Sequence, residues 1–192
     1  MSLRLSADTV QEALDRADSR HWTRTPPRSM RARLAYLDKQ ARHDTAALAH
    51  RLSTTPANLN ALNPAAPIPD TAPLHQAVER EVIRLWQPRV RQRAHATILA
   101  NGGQMMLSFR AWLGFTAAAG SSEDPRLRFL TLSLHAPHTT ALFTARHNDA
   151  PEEELRALLS DALGASYFHR NRPTHAGEAV ALERIDYLEF YY

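Results

Sequence analysis

The sequence predicts an α+β fold, with an N-terminal helical region that is similar to a helix-turn-helix, followed by a small antiparallel or mixed sheet packed with helices. Apolar residues recur at helical spacing through about residue 100, and they alternate with polar residues in the segment that follows. Hydrophobic residues make up 44% of the 192-residue chain and charged residues 22%, which is typical of a globular protein. The order of the two patterns puts helices first and the sheet second.

A proline-rich breaker separates the first two predicted helices. Residues 3–20 predict a helix with one apolar face, because their apolar side chains recur three or four positions apart. The paired prolines within residues 23–29 supply no amide hydrogen and end that pattern. Residues 30–40 predict a basic amphipathic helix, in which Arg31 and Arg33 are expected to contact DNA.

The segment that begins at Asp44 has the pattern of a helix-turn-helix. Asp44 is suited to cap one helix, residues 53–55 form a turn, and Pro56 suits the first turn of a second helix. The second helix offers Asn58 and Asn60, and asparagine can read adenine in the major groove. The turn has serine where glycine is usual, and the second helix has no arginine or lysine. A DNA-reading helix and a structural αα-hairpin therefore both fit the pattern.

Four prolines in residues 63–73 predict a linker. The proline-rich segments divide the chain into three predicted parts. They are an N-terminal helical extension at 1–27, a helix-turn-helix-like DNA-binding region with the linker at 28–73, and an α+β domain at 74–192.

A strong amphipathic helix is predicted after the linker and is interrupted at Pro88. The interruption places Arg89, Arg91 and Arg93 close together and near Trp86. Guanidinium groups bind phosphates and an indole ring stacks on bases, so this cluster predicts a grip on the DNA backbone. The alternative is a solvated helix end whose tryptophan packs in the core.

The remaining chain alternates strand and helix patterns. Residues 104–115 and 126–135 each have a period of two and predict strands, joined by a loop of small residues. Residues 137–146 and 151–168 predict helices, and residues 179–192 predict a terminal strand or pair of strands.

Charge is distributed unevenly along the chain. The net charge is +3, but residues 1–110 carry 16 basic and 9 acidic side chains, whereas residues 111–192 carry 7 basic and 11 acidic ones. Arginine accounts for 22 of the 23 basic residues. The asymmetry predicts that the first half faces a polyanion, and a solvated surface with uneven charge is the alternative.

Several classes of chemistry are absent from the sequence. Cysteine is missing, which excludes disulfides, thiolate metal sites and cysteine nucleophiles. No Gly-rich phosphate loop or nucleophile elbow is present. His135 and His138 flank Pro137 without an evident third ligand, so no metal site and no cofactor of its own are expected. No apolar run reaches the roughly 18 to 20 residues of a membrane span, and we expect a cytoplasmic location without membrane contact.

Four sequence blocks give the chain a family resemblance. In chain order they are MRARLAYLDKQA, EREVIRLWQPRVRQRA, FRAWLGFTAAAGSSEDPRLR and ERIDYLEF. Through these blocks, roughly residues 28–192 resemble the terminal proteins of Streptomyces-type linear chromosomes and plasmids, which protect telomeres. The two middle blocks are the specific ones, because no general DNA-binding fold requires W-Q-P-R-V-R followed by G-F-T-A-A.

The resemblance implies an unusual activity. Such proteins are linked covalently to the 5′ ends of linear DNA, and a side-chain hydroxyl primes the synthesis that fills in the recessed telomere. In the family that hydroxyl belongs to the threonine of the G-F-T-A block, which is Thr116 here. The resemblance also implies four partners: the 5′ end, the single-stranded 3′ overhang, a telomere-associated DNA-binding protein and a host DNA polymerase. The polymerase would hold the Mg²⁺ and the dNTP and catalyse the transfer, so the chain itself is not expected to be an enzyme, and it is expected to be nucleoid-associated at the ends of linear DNA.

The residues around Thr116 are compatible with this role. Gly114 and the alanines that follow Thr116 leave little side-chain bulk around its hydroxyl. Taken from the residues alone, Thr116 can equally end a strand. Competing hydroxyls lie nearby at Ser108, Ser121, Ser122 and Thr131.

The predicted DNA contacts also include three arginines that flank the loop of small residues. The complete set is Arg31, Arg33, Asn58, Asn60, Trp86, Arg89, Arg91, Arg93, Arg110, Arg126 and Arg128. The competing hypothesis is a regulator that binds DNA non-covalently through the helix-turn-helix. A regulator of that kind would protect an internal palindrome, because paired recognition helices need half-sites about one turn apart.

Overall fold

The fold is described here from a computed structural model, which covers residues 7–61, 72–115, 125–168 and 180–192. The predicted α+β class is confirmed, because these residues form eight helices and one three-stranded antiparallel sheet. The helices are α1 (Val10–Ser19), α2 (Met30–Gln40), α3 (Thr45–Arg51), α4 (Pro56–Ala61), α5 (Ala72–Leu85), α6 (Pro88–Ala100), α7 (Ala136–His147) and α8 (Glu152–Leu163). A π-helical turn, Gly164–Phe168, follows α8, and the strands are β1 (Met105–Phe115), β2 (Arg126–Leu134) and β3 (Val180–Tyr191).

The chain divides into two compact units. The sheet unit combines Met1–Trp22 with Arg89–Tyr192, and the helical unit is Thr23–Pro88. These units cross the segment boundaries predicted from the sequence, because α1 belongs with the sheet and α5 belongs with α2, α3 and α4. The predicted linker falls mainly on residues 62–71, which lie outside the described residues.

The helical unit forms where its caps and apolar stripes predict. The Ser29 hydroxyl accepts a hydrogen bond from the Ala32 amide (3.3 Å) and begins α2. The Asp44 carboxylate accepts one from the Ala47 amide (2.9 Å) and begins α3, which confirms the predicted cap. The helices close over one apolar cluster of buried side chains: Leu37, Leu48, Ala49, Leu52, Leu59, Val78 and Val82.

In the sheet unit β1 lies between β2 and β3, and both pairings are antiparallel. The core face of β1 presents Leu107, Phe109, Ala111 and Leu113, all buried, which confirms the predicted alternation. The same buried cluster includes side chains from α1, α7 and α8. Two register shifts between β1 and β3 mark bulges near Arg110 and Trp112.

Of the helix predicted at 3–20, the described residues form α1 only from Val10 to Ser19, and residues 3–6 lie outside the described part of the chain. α1 begins at Val10 because the Thr9 hydroxyl accepts a hydrogen bond from the Glu12 amide (3.1 Å). The Glu152 carboxylate, from α8, accepts two more, from the Val10 amide (2.7 Å) and the Gln11 amide (2.9 Å). Such a double cap stops the helix from extending toward the N-terminus. At the other end of the chain, the predicted strand or pair of strands is one strand, β3.

Within the described part of the chain, every helix is too short or too polar to cross a membrane.

Candidate nucleic-acid interface

The arginine cluster of α6 divides between surface and core. Arg89 and Arg93 are exposed and lie four residues apart, so they share one helix face. Arg91 is only 8% exposed, and its Nε lies 3.9 Å from the Asp18 Oδ2. Burial lowers the pKa of the Arg91 guanidinium. The prediction that all three arginines grip phosphate is therefore corrected: Arg91 is part of the interior of the sheet unit.

Trp86 is held within the helical unit. Its indole Nε1 donates to the Arg24 carbonyl (3.0 Å), and its ring makes an edge contact with Tyr36 at a centroid distance of 5.1 Å. The Tyr36 hydroxyl donates to the Leu85 carbonyl (2.7 Å). These contacts give Trp86 a packing role, and its predicted stacking on bases stays a prediction.

The helix-turn-helix pattern corresponds to two real helices, α3 and α4, joined by a turn at the predicted place. Asn58 and Asn60 are both exposed on α4, and the side-chain Nδ2 of Asn58 donates to the Thr54 hydroxyl (3.3 Å). Asn60 and Arg31 line one open cleft between α2, α3 and α4, with a volume of about 310 Å³. The structure therefore brings Arg31 and Asn60 together.

Arg33 does not share the cleft with Arg31. Its side chain is 13% exposed and forms an ion pair with Glu79 (3.1 Å), and its Nε donates to the Pro27 carbonyl (3.1 Å). Arg33 therefore joins α2 to α5, and its predicted contact with DNA stays a prediction.

The three sheet arginines that are predicted to contact DNA, Arg110, Arg126 and Arg128, lie on two different faces. Arg110 is on the face opposite the core, and its side chain is 57% exposed. Arg126 and Arg128 pair with Leu113 and Ala111, which are core-face positions, so the edge strand β2 directs them to the other side. Arg110 is thus separated from Arg126 and Arg128.

Thr116 lies outside the described residues, and the structure gives only the ends of the strands that come before and after it in the sequence. β1 ends at Phe115, and β2 begins at Arg126. Next to this end, the nearest group to a Cβ on Gly114 would be the Glu183 carboxylate, which is the end of a flexible exposed side chain and can move aside.

Two of the competing hydroxyls are bound to each other on the sheet. The Thr131 hydroxyl donates to the Ser108 hydroxyl (3.1 Å) across paired strands. Ser121 and Ser122 lie outside the described residues.

The face of the sheet opposite the core, here called the open face, was not anticipated as a site. Its central strand presents Met106, Ser108, Arg110 and Trp112. The exposed large apolar side chains of the described residues all lie on this face: Met106, Leu127, Phe129 and Tyr191. Phe129 is the most prominent, at 72% exposure. The alternation of β1 gives the outward positions in advance, but only the strand register shows which side chains of β2 and β3 stand beside them.

Cations and rings are interleaved on the open face. The Arg184 guanidinium lies over the Trp112 ring, 5.0 Å from its centroid, and the Arg20 guanidinium lies over the Tyr191 ring at 4.9 Å. Such pairs favour a charged group on an aromatic face.

Two carboxylates organise these side chains. The Asp186 carboxylate lies 3.1 Å from Arg184 Nε and 3.7 Å from Arg110 Nε. The Glu189 carboxylate accepts hydrogen bonds from the hydroxyls of Tyr187 (2.6 Å) and Tyr191 (2.8 Å). The bond from Tyr187 is the largest cause that lowers the pKa of Glu189.

A buried polar network lies elsewhere in the sheet unit, and the sequence patterns do not predict it either. Asp18 Oδ1 contacts His95 Nε2 (2.6 Å) and accepts a hydrogen bond from the Tyr192 hydroxyl (2.8 Å). His95 Nδ1 lies 3.0 Å from His147 Nε2, and the His95 ring stacks on Phe143 at 3.6 Å. The network joins α1, α6, α7 and the end of β3, and we assign it to stability.

The histidines considered as a metal pair lie at the start of α7, where His135 is exposed and occupies the N-cap. Among the residues that the structure describes, no group of three or more histidine, aspartate or glutamate side chains is placed to hold a metal ion. In comparisons with known proteins, no family model, curated protein or solved structure matches the chain.

Proposed function

We propose that the protein is a DNA terminal protein that caps the 5′ ends of a linear replicon. The threonine hydroxyl of Thr116 serves as the primer for the synthesis that completes the telomere. The observation that carries the proposal is the G-F-T-A-A block, which begins on β1 at Gly114 and continues past the strand end at Phe115. Glycine and alanine neighbours in the sequence add little side-chain bulk beside a hydroxyl that must enter a polymerase site in place of a 3′-OH.

The reaction balances without a cofactor on this chain. The Thr116 oxygen attacks the α-phosphorus of a dNTP, a phosphodiester bond forms, and the bond to the β-phosphate breaks. Pyrophosphate leaves, and the hydroxyl proton passes to a base or to solvent. The polymerase supplies Mg²⁺, which stabilises the leaving pyrophosphate. The terminal protein only presents the oxygen and holds the DNA, so it is not an enzyme.

The partners follow from the same reaction. The DNA end and its single-stranded 3′ overhang, a telomere-associated DNA-binding protein and the host polymerase must meet this chain. Arg89 and Arg93 supply an exposed pair of guanidinium groups for phosphate contacts. With these partners the protein is located in the cytoplasm and is associated with the nucleoid at the ends of linear DNA.

A deoxynucleotidylation assay tests the proposal. Full-length protein is incubated with host extract and one labelled dNTP at a time, and the label that survives denaturation is measured. Thr116→Val should abolish labelling, because it removes the oxygen at nearly constant side-chain shape. Thr131→Val is the matched control, because it makes the same change at a strand hydroxyl that already bonds Ser108. Full labelling of Thr116→Val would remove that residue from the role, and no labelling of the wild type beside a working control would reject priming.

The second candidate function, a non-covalent regulator, is favoured by the helix pair α3 and α4 with Asn58 and Asn60 exposed. It predicts protection of an internal palindrome and DNA ends that need no protease to enter a gel. Ends that enter a gel only after protease treatment favour the terminal protein.

A further inference from the structure

The open face carries a pattern that priming itself does not use. Across the sheet, Phe129, Arg110 and Tyr187 stand side by side in paired positions, one from each strand. The next row toward the end of β1 is Leu127, Trp112 and Arg184. Each row therefore combines a ring with a guanidinium group.

We propose that the open face binds single-stranded DNA. Bases stack on Phe129 and on the Arg184 guanidinium that covers the Trp112 ring, and Arg110 contacts the phosphates. Proteins that bind single strands commonly place exposed aromatic rings on an antiparallel sheet, because every base has a face that can stack. The inference rests on the proposed function in one respect: it takes the strand to be the terminal one, beside the priming hydroxyl.

The exposure of these groups fits a ligand outside the core. Phe129 is 72% exposed, whereas its neighbours on the core face, Leu107 and Phe109, are fully buried. The Arg184 side chain is 65% exposed. Since a strand rises about 3.3 Å per residue, Trp112 lies about 10 Å before the end of β1 at Phe115. A single strand of DNA bound along β1 therefore runs toward the end of β1 at Phe115.

Positive and negative side chains are mixed on the open face, which favours binding by base stacking over binding by charge alone. Arg20, Arg110 and Arg184 are accompanied by the carboxylates of Asp186, Glu189 and Glu183. Carboxylates accept hydrogen bonds from base amino groups. We therefore expect binding through this face to depend only weakly on salt.

Two residue types at the centre of the face weigh against a protein partner. Aspartate and serine are depleted in protein–protein interfaces, whereas arginine, methionine and aromatic residues are enriched there. Asp186 and Ser108 lie at the centre of this face and are of the depleted kind. Arg110 between two rings fits either partner, so a sedimentation measurement separates a second copy of the chain from single-stranded DNA.

Fluorescence anisotropy of a labelled single-stranded oligonucleotide of mixed sequence with full-length protein tests the proposal. Phe129→Ala should weaken binding about 5- to 100-fold, the range typical for loss of one stacking ring. Arg110→Gln should weaken it less. His135→Ala is the control, because it removes an exposed ring from the start of α7 and leaves the sheet unchanged. Circular dichroism of each variant confirms that it is folded.

Three results would overturn the proposal. One is that the wild type fails to bind the oligonucleotide, and another is that Phe129→Ala and Arg110→Gln both bind like the wild type. The third is that Phe129→Ala converts a dimer to a monomer in sedimentation without changing DNA affinity, since the face would then join two copies. The two proposals fail separately. A wild-type protein that binds the oligonucleotide but is not labelled rejects priming alone. A Phe129→Ala protein that is labelled and binds the oligonucleotide like the wild type rejects the open face alone.

Discussion

The helical unit and the sheet unit bury apolar surface in different ways. In the helical unit each helix has one apolar stripe, and the stripes meet around Leu37, Val78 and Val82. In the sheet unit, helices share the buried cluster with one face of the sheet, while Phe129 on the other face is exposed. A sheet has two faces, and only one of them is needed for the core. The second face is therefore available for binding, whereas a packed helix bundle offers mainly its clefts.

The two units also differ in how they use charged residues. In the sheet unit Arg91 is 8% exposed and Arg146 is 1% exposed, and Arg146 forms an ion pair with Asp15. In the helical unit Arg33 and Arg51 form ion pairs with Glu79 and Glu81. Arginines whose side chains are mostly buried in such pairs, as those of Arg91, Arg146 and Arg33 are, do not add to the surface that meets a polyanion. A count of charges along the sequence therefore overstates the number of phosphate contacts.

The largest expected effect separates the two faces of the sheet. Phe109→Ala should lower the free energy of unfolding of the sheet unit by about 3–5 kcal/mol, because it leaves a cavity in the core. Phe129→Ala should change it by less than about 0.5 kcal/mol, because that ring is mostly exposed. Urea unfolding followed by circular dichroism measures both. A large loss of stability in Phe129→Ala would mean that the open face is a structural surface.

An intermediate effect concerns which unit meets the DNA backbone. Replacing Arg89 and Arg93 with alanine should weaken binding to a duplex with a 3′ overhang. It should also reduce the slope of log K against log salt by about 1.5, since each phosphate contact contributes roughly 0.7 to 0.9. The affinity is measured by anisotropy at several salt concentrations.

Two other variants sharpen that comparison. Arg91→Met should leave the slope unchanged and lower the melting temperature, because Arg91 lies in the interior beside Asp18. Arg31→Ala with Asn60→Ala removes two groups that line the cleft of the helical unit. A reduced slope in this second pair, with an unchanged slope in Arg89→Ala with Arg93→Ala, would assign the backbone contact to the helical unit.

Periodicity and capping predict most of the fold. The α+β class follows from the change of apolar spacing near residue 101, and the starts of α3 and α4 follow from Asp44 and Pro56. The start of α1 was predicted too early, because it depends on Glu152, which is more than a hundred residues away in sequence. A local pattern contains no information about such a contact.

The site is less predictable than the fold for the same reason. Arginines two positions apart look equivalent in sequence, but on α6 they alternate between surface and core, so Arg91 faces Asp18 while Arg89 and Arg93 do not. The row of Phe129, Arg110 and Tyr187 exists only because three strands pair in one register. The role of Thr116 follows from a family resemblance and stays a prediction.

The smallest expected effect is a pH dependence confined to the sheet unit. Partial burial is the main cause that lowers the pKa of His147, and His95 and Arg91 lower it further. The charged groups of its surroundings also include Arg146, which lowers it, and Asp18, which raises it. Because the folded state then binds a proton less readily than the unfolded state, this histidine favours folding at neutral pH. Its contribution is complete above the unfolded value of about 6.5 and is lost as the pH falls from there through the lower pKa of the folded state.

The urea midpoint of the wild type at pH 7.5 and at pH 5.5 gives the size of this loss. His147→Gln should reduce the difference between the two midpoints, because glutamine does not titrate and its amide can still donate toward His95. Burial raises the pKa values of Asp15 and Glu152, so these two carboxyl groups favour the folded state more strongly as the pH falls. Both are present in each protein and largely cancel in the comparison. His138→Gln is the control, because it changes the same helix outside the Asp18 network, and it should retain the full wild-type difference between the two urea midpoints. If His147→Gln also retains the full difference, the pH sensitivity belongs to another group of the sheet unit.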